Sequence, residues 1–232
     1  IGHSLPLLKS LREARKRARL GNDNILLLGE TGTGKELFAS YLHKQSGRKG
    51  AYVPLFTSGV PETLIDDRLF GHVKGAFDGA YRDEPGAAER ADGGTLFIDE
   101  FGEIPATIQT KFLRLLDKNI RETQRIGSQS AKRLNLQVVL ATNRLDILSS
   151  GDFRQALLSR VEAKDPMTLP PLRERAEDIP LLVDFFVKKC EKAFGAESRT
   201  VSEEALEALK GYPWPGNVRE LEGVIEKAVY NY

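Results

Sequence analysis

Cysteine occurs once in this sequence, at Cys190, and histidine three times, at His3, His43 and His72. A single thiol forms no disulfide within the chain, so a hydrophobic core has to hold the fold and a reducing compartment is expected. Cys190 falls inside an apolar helical pattern, where a core thiol belongs. The histidines share no metal-ligand spacing with one another or with Cys190, so none is expected to bind a metal. No Ser-His-Asp or Cys-His set marks a nucleophile. No apolar run reaches the length of a membrane span and no signal peptide opens the chain, so a soluble, cytoplasmic protein with no membrane partner is expected. Excess charge is missing too: 34 Lys and Arg against 33 Asp and Glu leave +1, so contact with nucleic acid has to come from a local patch or from a segment outside these residues. Repeats and low-complexity tracts do not occur. What is present is ordinary globular composition, 41% hydrophobic and 29% charged over 232 residues, enough for one large or two modest domains. The chain starts at Ile1 without methionine, as a piece of a longer polypeptide would.

The most informative stretch is Gly29-Glu30-Thr31-Gly32-Thr33-Gly34-Lys35-Glu36. It follows an apolar run over 25–28, which predicts a buried strand, and leads into helical spacing over 37–43. Glycines between a strand and a helix let successive backbone N–H groups turn inward on a phosphate. The helix N-terminus adds partial positive charge, and Lys35 supplies a cation for the outer phosphates. Gly-x4-Gly-Lys in that setting points to nucleoside triphosphate binding. Glu36 stands where most such loops place a Ser or Thr hydroxyl for magnesium, so the metal must lean on other ligands.

A second apolar strand, over 95–98, ends in Asp99-Glu100. Beside a phosphate loop, Asp99 can hold magnesium through its waters while Glu100 accepts a proton from the attacking water. Elsewhere the chain divides by its punctuation. Ser4 and Pro6 start a helix with Leu8, Leu11, Ala14 and Ala18 on one side and a solvated basic face on the other; Gly21-Asn22-Asp23 ends it. Strands are predicted over 52–56 and 136–142, the latter closed by Asn143-Arg144. Helices are predicted over 63–70, 108–116 and 153–161, the last carrying Arg154 and Arg160. Between 71 and 80 runs a glycine-bounded loop with a single aromatic, Phe77. A proline-stiffened crossing over 169–175 leads to three helices, over 178–194, 202–212 and 218–232, the last capped by Asn217 with Glu220 three residues on.

Taken in order, these motifs resemble the AAA+ domain of bacterial enhancer-binding proteins, the transcription activators that remodel sigma-54 RNA polymerase. The residues that carry the resemblance are the 29–37 loop, Gly71-His72-Val73-Lys74-Gly75-Ala76-Phe77-Asp78-Gly79-Ala80, the 93–100 strand, Phe153-Arg154 through Arg160, residues 169–175, and Trp214-Pro215-Gly216-Asn217-Val218-Arg219-Glu220-Leu221. The family also places Glu after the loop lysine. The resemblance implies an α/β fold: a P-loop core with a central parallel sheet flanked by helices, over residues 1–172, and a small all-helical lid over 173–232. It implies an ATPase working with Mg2+ in a homo-oligomeric ring, hexameric or heptameric, with ATP at subunit interfaces. Carried over by residue, Gly29 to Leu37 with Ile1, Gly2 and Arg219 contact the nucleotide, and Lys35 holds phosphates. Asp99 holds Mg2+, Glu100 the water, and Asn143 and Arg219 sense the nucleotide. Arg154 and Arg160 reach into a neighbouring site as arginine fingers. Gly75, Ala76, Phe77, Asp78, Gly79 and Ala80 form the loop that touches sigma-54, and DNA is bound through a domain outside this chain.

Three departures from the family pattern stand out. Asp78 replaces the usual Thr in the sigma-contacting loop. Phe56 replaces the Asn that ordinarily restrains the catalytic Glu. The turn over 119–124, part of the second remodelling loop, is longer than usual. These departures keep open a second reading, a regulator that binds ATP to control oligomerisation and DNA binding without activating sigma-54. An unrelated P-loop kinase or uptake ATPase is opposed by the aromatic loop inserted ahead of the Asp-Glu strand.

Overall fold

The computed structural model describes residues 1–19, 24–143, 155–161, 165–194 and 200–231. The chain forms two compact units, one of residues 14–28 and 36–167, the other of residues 1–13, 29–35 and 168–232.

The first unit is built on a sheet in the order β2-β5-β8-β1-β9, from β1 (Asn24–Leu28), β2 (Tyr52–Phe56), β5 (Thr95–Asp99), β8 (Gln137–Thr142) and β9 (Met167–Thr168). The ladders β2–β5, β5–β8 and β8–β1 are parallel, and every residue of β1 and β8 is buried. Strands covered on both faces carry continuous apolar runs rather than alternation, which is why their sequence signal is strong. The register sets Leu28 beside Thr142 and Ile98 beside Leu140, so the chain leaves β1, β8 and β5 at one edge of the sheet. In open α/β sheets that edge is where ligands bind. β2 is an edge strand, which accommodates Pro54.

Helices α2 (Lys35–Ser46), α3 (Glu62–Phe70), α4 (Ala87–Arg90), α5 (Ala106–Leu116) and α6 (Gln155–Arg160) complete this unit, in which Leu69, Phe70, Ile98, Phe101, Phe112 and Leu115 are core residues. Two short ribbons project from it. β3 (Gly71–His72) pairs antiparallel with β4 (Glu84–Pro85), and β6 (Glu122–Thr123) with β7 (Lys132–Arg133). Gly71 has φ 74°, and a Cβ there would lie 2.2 Å from the Glu84 carbonyl, so only glycine closes the first ribbon.

Helix α1 (Leu5–Arg19) starts where Ser4 and Pro6 predict, but its buried side is Leu7, Ala14 and Ala18, while Leu8 is exposed. The second unit carries α7 (Ile179–Phe194), α8 (Glu203–Gly211) and α9 (Asn217–Asn231) around Leu172, Ile179, Phe186, Trp214, Leu221 and Ile225. Cys190 is buried among them, and burial pushes its thiol up. Ser202 caps α8 by accepting from the Ala205 N–H at 3.2 Å. Among the described residues no helix is long and apolar enough to cross a membrane.

Candidate functional site

The glycine-rich loop over 29–35 follows β1 and ends at the first residue of α2. Gly32 and Gly34 have φ of 80° and 98°, a region glycine enters without strain. The loop's carbonyls are taken up by the segment before α7 and by the first residues of α9. Asn217 Nδ2 donates to Thr31 O at 3.0 Å, the Val218 N–H to Gly32 O at 3.0 Å, and Arg175 Nη2 to Thr33 O at 3.0 Å. In a trans peptide the carbonyl and the following N–H point to opposite sides, so the N–H groups of Gly32 and Gly34 face away from these partners. That is the inward-facing arrangement an anion requires. The space beside Gly34 is open, with nothing within 4 Å of where a Cβ would be. At Gly32 a Cβ would meet the Gly216 carbonyl at 2.2 Å and Arg219 Cβ at 3.2 Å, which places Arg219 beside the loop. Lys35 is buried, its Nζ donating to Gly29 O at 2.9 Å and Glu30 O at 3.4 Å. Glu36 and Leu37 are exposed at the start of α2, where a carboxylate complements the helix dipole.

Glu30 is held from outside the loop. Arg173 donates through Nη1 and Nη2 to its two carboxylate oxygens at 2.8 and 2.6 Å, and Asn217 Nδ2 adds a bond at 3.1 Å. The Arg173 fork, followed by Asn217, holds the Glu30 carboxyl down to about 2. Asn217 therefore does not cap its own helix, as its spacing from Glu220 predicts. Its side chain bridges Glu30, Thr31 and the Leu172 N–H, which donates to Oδ1 at 2.7 Å; Glu220 reaches back to the Gly216 N–H at 2.7 Å. Arg175 is buried, burial lowers its pKa, and its Nε has no acceptor among the described residues. Orphan donors of this kind concentrate at functional sites. Ile1 and Gly2 precede a clasp in which buried Asp178 accepts from the His3 N–H at 2.7 Å, the Ser4 N–H at 2.8 Å and Ser4 Oγ at 2.7 Å.

In the sheet unit, β5 ends at Asp99, and Glu100 adopts left-handed φ 53°, ψ 44°. A non-glycine residue there costs about 1–2 kcal/mol, and backbone strain of this kind clusters at active sites and switch regions. Thr57, which no sequence motif singles out, stabilises the bend by donating from Oγ1 to Asp99 O at 2.7 Å and Glu100 O at 3.2 Å. The Glu100 N–H donates to Asp99 Oδ1 at 3.1 Å. Asp99 Oδ2 receives no bond from the described residues, a donor set suited to a water-shelled Mg2+, which takes one or two carboxylates rather than a protein cage. Phe56 pairs in register with Asp99, is 48% exposed, and offers Glu100 no polar group. Asn143 follows β8 at the same sheet edge and is exposed.

Arg160 ends α6. Its Nη2 donates to Asp117 Oδ2 at 3.1 Å, and its carbonyl accepts from Asn24 Nδ2 at 2.7 Å. Asn24, wholly buried, also donates to Leu116 O at 2.7 Å and accepts from Arg121 Nη1 at 3.1 Å, so one side chain ties the ends of α5 and α6 together. Arg154 lies outside the described residues. In the loop between β3 and β4, Gly75 and Gly79 have φ of 80° and 103°, and Ala80 is buried. Phe77 rests its ring against His72 at 4.9 Å between centroids, and Asp78 is exposed. His72 in turn meets Asp67 Oδ1 at 2.6 Å. Arg125, between β6 and β7, forks onto Glu89 at 2.6 and 2.8 Å.

Residues 1–165 match the family described as the sigma-54 interaction domain, and residues 173–232 match the AAA+ ATPase lid domain. The chain is 48% identical over 207 residues to the nitric oxide reductase transcription regulator NorR2 of Cupriavidus necator, covering 88% of this chain and 39% of that protein. It is 43% identical over 232 residues to the Nif-specific regulatory protein of Azotobacter vinelandii, covering 98% of this chain and 43% of that one. It thus spans less than half the length of either relative. Among solved structures it is similar to NtrX from Brucella abortus in complex with ADP, at TM-score 0.88 and 29% identity, over 100% of this chain and 50% of that one. NtrX in complex with ATP gives TM-score 0.86 at 31% identity, over 100% of this chain and 52% of that one.

Proposed function

The chain belongs to the sigma-54 interaction family of AAA+ ATPases, and we propose that it is the ATP-hydrolysing module of a transcription regulator, coupling hydrolysis in a homo-oligomeric ring to remodelling of sigma-54 RNA polymerase. The observation that carries this proposal is the loop from Gly29 to Lys35, whose carbonyls at Thr31, Gly32 and Thr33 are bonded to Asn217, Val218 and Arg175. Its amides at Gly32 and Gly34 are left for phosphates. Lys35 offsets outer-phosphate charge, Glu100 takes the proton of the attacking water, and Asn143 and Arg219 register the state of the nucleotide. Asp99 would hold Mg2+, which would supply charge compensation for the phosphates. Arg160 and Arg154 act in trans, where a guanidinium on the transferring phosphoryl group contributes roughly three to five powers of ten in rate. In this reading the chain divides into a core over 1–172 and a lid over 173–232, forms a hexamer or heptamer in the cytoplasm, and meets DNA through a domain outside these residues. Gly75 to Ala80 present Phe77 to sigma-54.

The test is Glu100→Gln. Steady-state turnover should fall below detection while a fluorescent ATP analogue binds as before, because the base is lost and the phosphate cradle is not. Unchanged turnover would remove Glu100 from the mechanism.

Two observations favour the second reading, a nucleotide-binding switch that does not engage sigma-54. Phe56 supplies no amide to restrain Glu100, and Asp78 exposes a carboxylate at the loop tip. Pressed into an interface without a partner, that carboxylate carries a desolvation penalty of about several kcal/mol.

A further inference from the structure

Within residues 29–35 the only acidic side chain is Glu30, and it sits in a loop read as a cradle for a polyanion. A free carboxylate there would oppose the incoming phosphates. It is not free: both oxygens are engaged by the Arg173 fork at 2.6 and 2.8 Å, and Asn217 adds a third bond at 3.1 Å. The same Asn217 amide holds the Thr31 carbonyl at 3.0 Å, and its Oδ1 is fixed by the Leu172 N–H at 2.7 Å, one residue before Arg173. Charge compensation and loop geometry therefore depend on one small network. Arg173 and Glu30 are each nearly half exposed, so the pair is a weak source of stability for the fold. Its geometry is nonetheless specific, a planar fork matched to a carboxylate.

We propose that Arg173 and Asn217 are positioning residues for nucleotide binding, which fix Glu30 in a compensated form so that the loop presents donors and net positive charge to the phosphates. The proposal rests on the nucleotide-binding reading of the loop and deepens it: Arg173, within the proline crossing, and Asn217, at the start of α9, set the affinity of the site through Glu30 and the loop rather than by touching the phosphates themselves. Arg173→Ala leaves Glu30 with only the Asn217 bond and adds an uncompensated negative charge next to the phosphates. Lys would not replace it, because an ammonium cannot reproduce the two-pronged contact.

The experiment titrates a fluorescent ADP analogue against four forms of the chain: unmodified, Arg173→Ala, Glu30→Gln, and the double variant. Arg173→Ala is expected to weaken binding about ten-fold, the effect of one like charge brought close to a polyanion at partly screened range. The double variant should recover most of that loss, because no carboxylate remains to be compensated. In turnover, Arg173→Ala should raise KM far more than it lowers kcat. Thermal unfolding without nucleotide, with midpoints close to that of the unmodified chain, shows that the loss is not global. Unchanged affinity in Arg173→Ala overturns the proposal. So does a loss that persists undiminished in the double variant, because Arg173 would then touch the nucleotide directly. Failure of the unmodified chain to bind the analogue at all would instead refute the nucleotide-binding reading.

Discussion

Replacing Asn24 should damage the sheet unit more than its size suggests. This side chain is wholly buried and makes three hydrogen bonds, to the carbonyls of Leu116 and Arg160 at 2.7 Å each and from Arg121 Nη1 at 3.1 Å. Asn24→Ala removes all of them and leaves the two carbonyls and a guanidinium donor without that partner. At about 1–3 kcal/mol for each stranded group, with some relief from water entering the space, the loss is about 3–5 kcal/mol. For a chain of this size that lowers the melting midpoint by about 6–20 °C. Asn24→Asp is the sharper test. It has the same shape and keeps an acceptor for Arg121, but it sets an oxygen 2.7 Å from each of two carbonyl oxygens where an N–H had been. It should therefore cost at least as much as Ala. Urea unfolding followed by circular dichroism measures both, with an unchanged m-value confirming that the unfolded state is the same. A loss below about 1 kcal/mol in both variants would mean that the network is not what holds the ends of α5 and α6. If Arg160 acts on a neighbour's nucleotide as proposed, ATP turnover should fall as well, because the Arg160 carbonyl belongs to this network.

Further outcomes follow from the same geometry. If Arg160 acts on a neighbour, activity per subunit rises with protein concentration, and mixing Arg160→Ala with Glu100→Gln restores some turnover, since a junction can then combine an intact Glu100 with an intact Arg160; activity flat with dilution rules this out. If the 75–80 loop meets sigma-54 in a ring as proposed, Asp78→Thr should strengthen binding to sigma-54 in the presence of a transition-state nucleotide analogue. Tight binding by the Asp78 form that Thr weakens would instead make Asp78 a specificity determinant with a cationic partner. Glu30 has its pKa lowered from 4.5 to about 2, so its contribution is present above the unfolded value and is lost as pH falls from about 4.5 towards 2. Because the pair is nearly half exposed, the loss in an acid titration of the unmodified chain should be small, and Arg173→Ala, which keeps only the Asn217 bond, should show less of it. A large acid-induced loss confined to the unmodified chain would show that the pair stabilises the fold more than its exposure implies.

The parts of this molecule legible in the sequence are those whose cause is local. β1, β5 and β8 are buried on both faces, so their apolar runs carry the signal without alternation, and the glycines between β1 and α2 announce a turn that few other residues permit. The end of the strand at Asp99-Glu100 is legible but the left-handed backbone of Glu100 is not, because Thr57, which secures it, comes from 42 residues earlier in the chain. Asn217 departs from the expectation for a related reason: its spacing from Glu220 has the form of a helix cap, and the competing partners at Glu30 and Thr31 lie more than 180 residues away. Asp178 and Ser4 are likewise 174 residues apart, beyond any window of periodicity. Leu8 differs from the expectation by one position, since Leu7 takes the buried side of α1.

The way the Gly29 to Lys35 loop is seated bears on recombination between relatives. A chimaera joined at 172/173 would transplant Arg173, Arg175, Gly216, Asn217 and Val218 onto a loop they did not evolve with. Three of these bond loop carbonyls, and the Gly216 carbonyl lies where any side chain at position 32 would have to go. A donor segment that lacks Asn at 217, or a recipient that lacks Gly at 32, would give a folded hybrid with a misshapen loop. The structural unit to be kept together is thus discontinuous: residues 1–13 and 29–35 belong with 168–232, although 132 residues separate the last two segments in the chain.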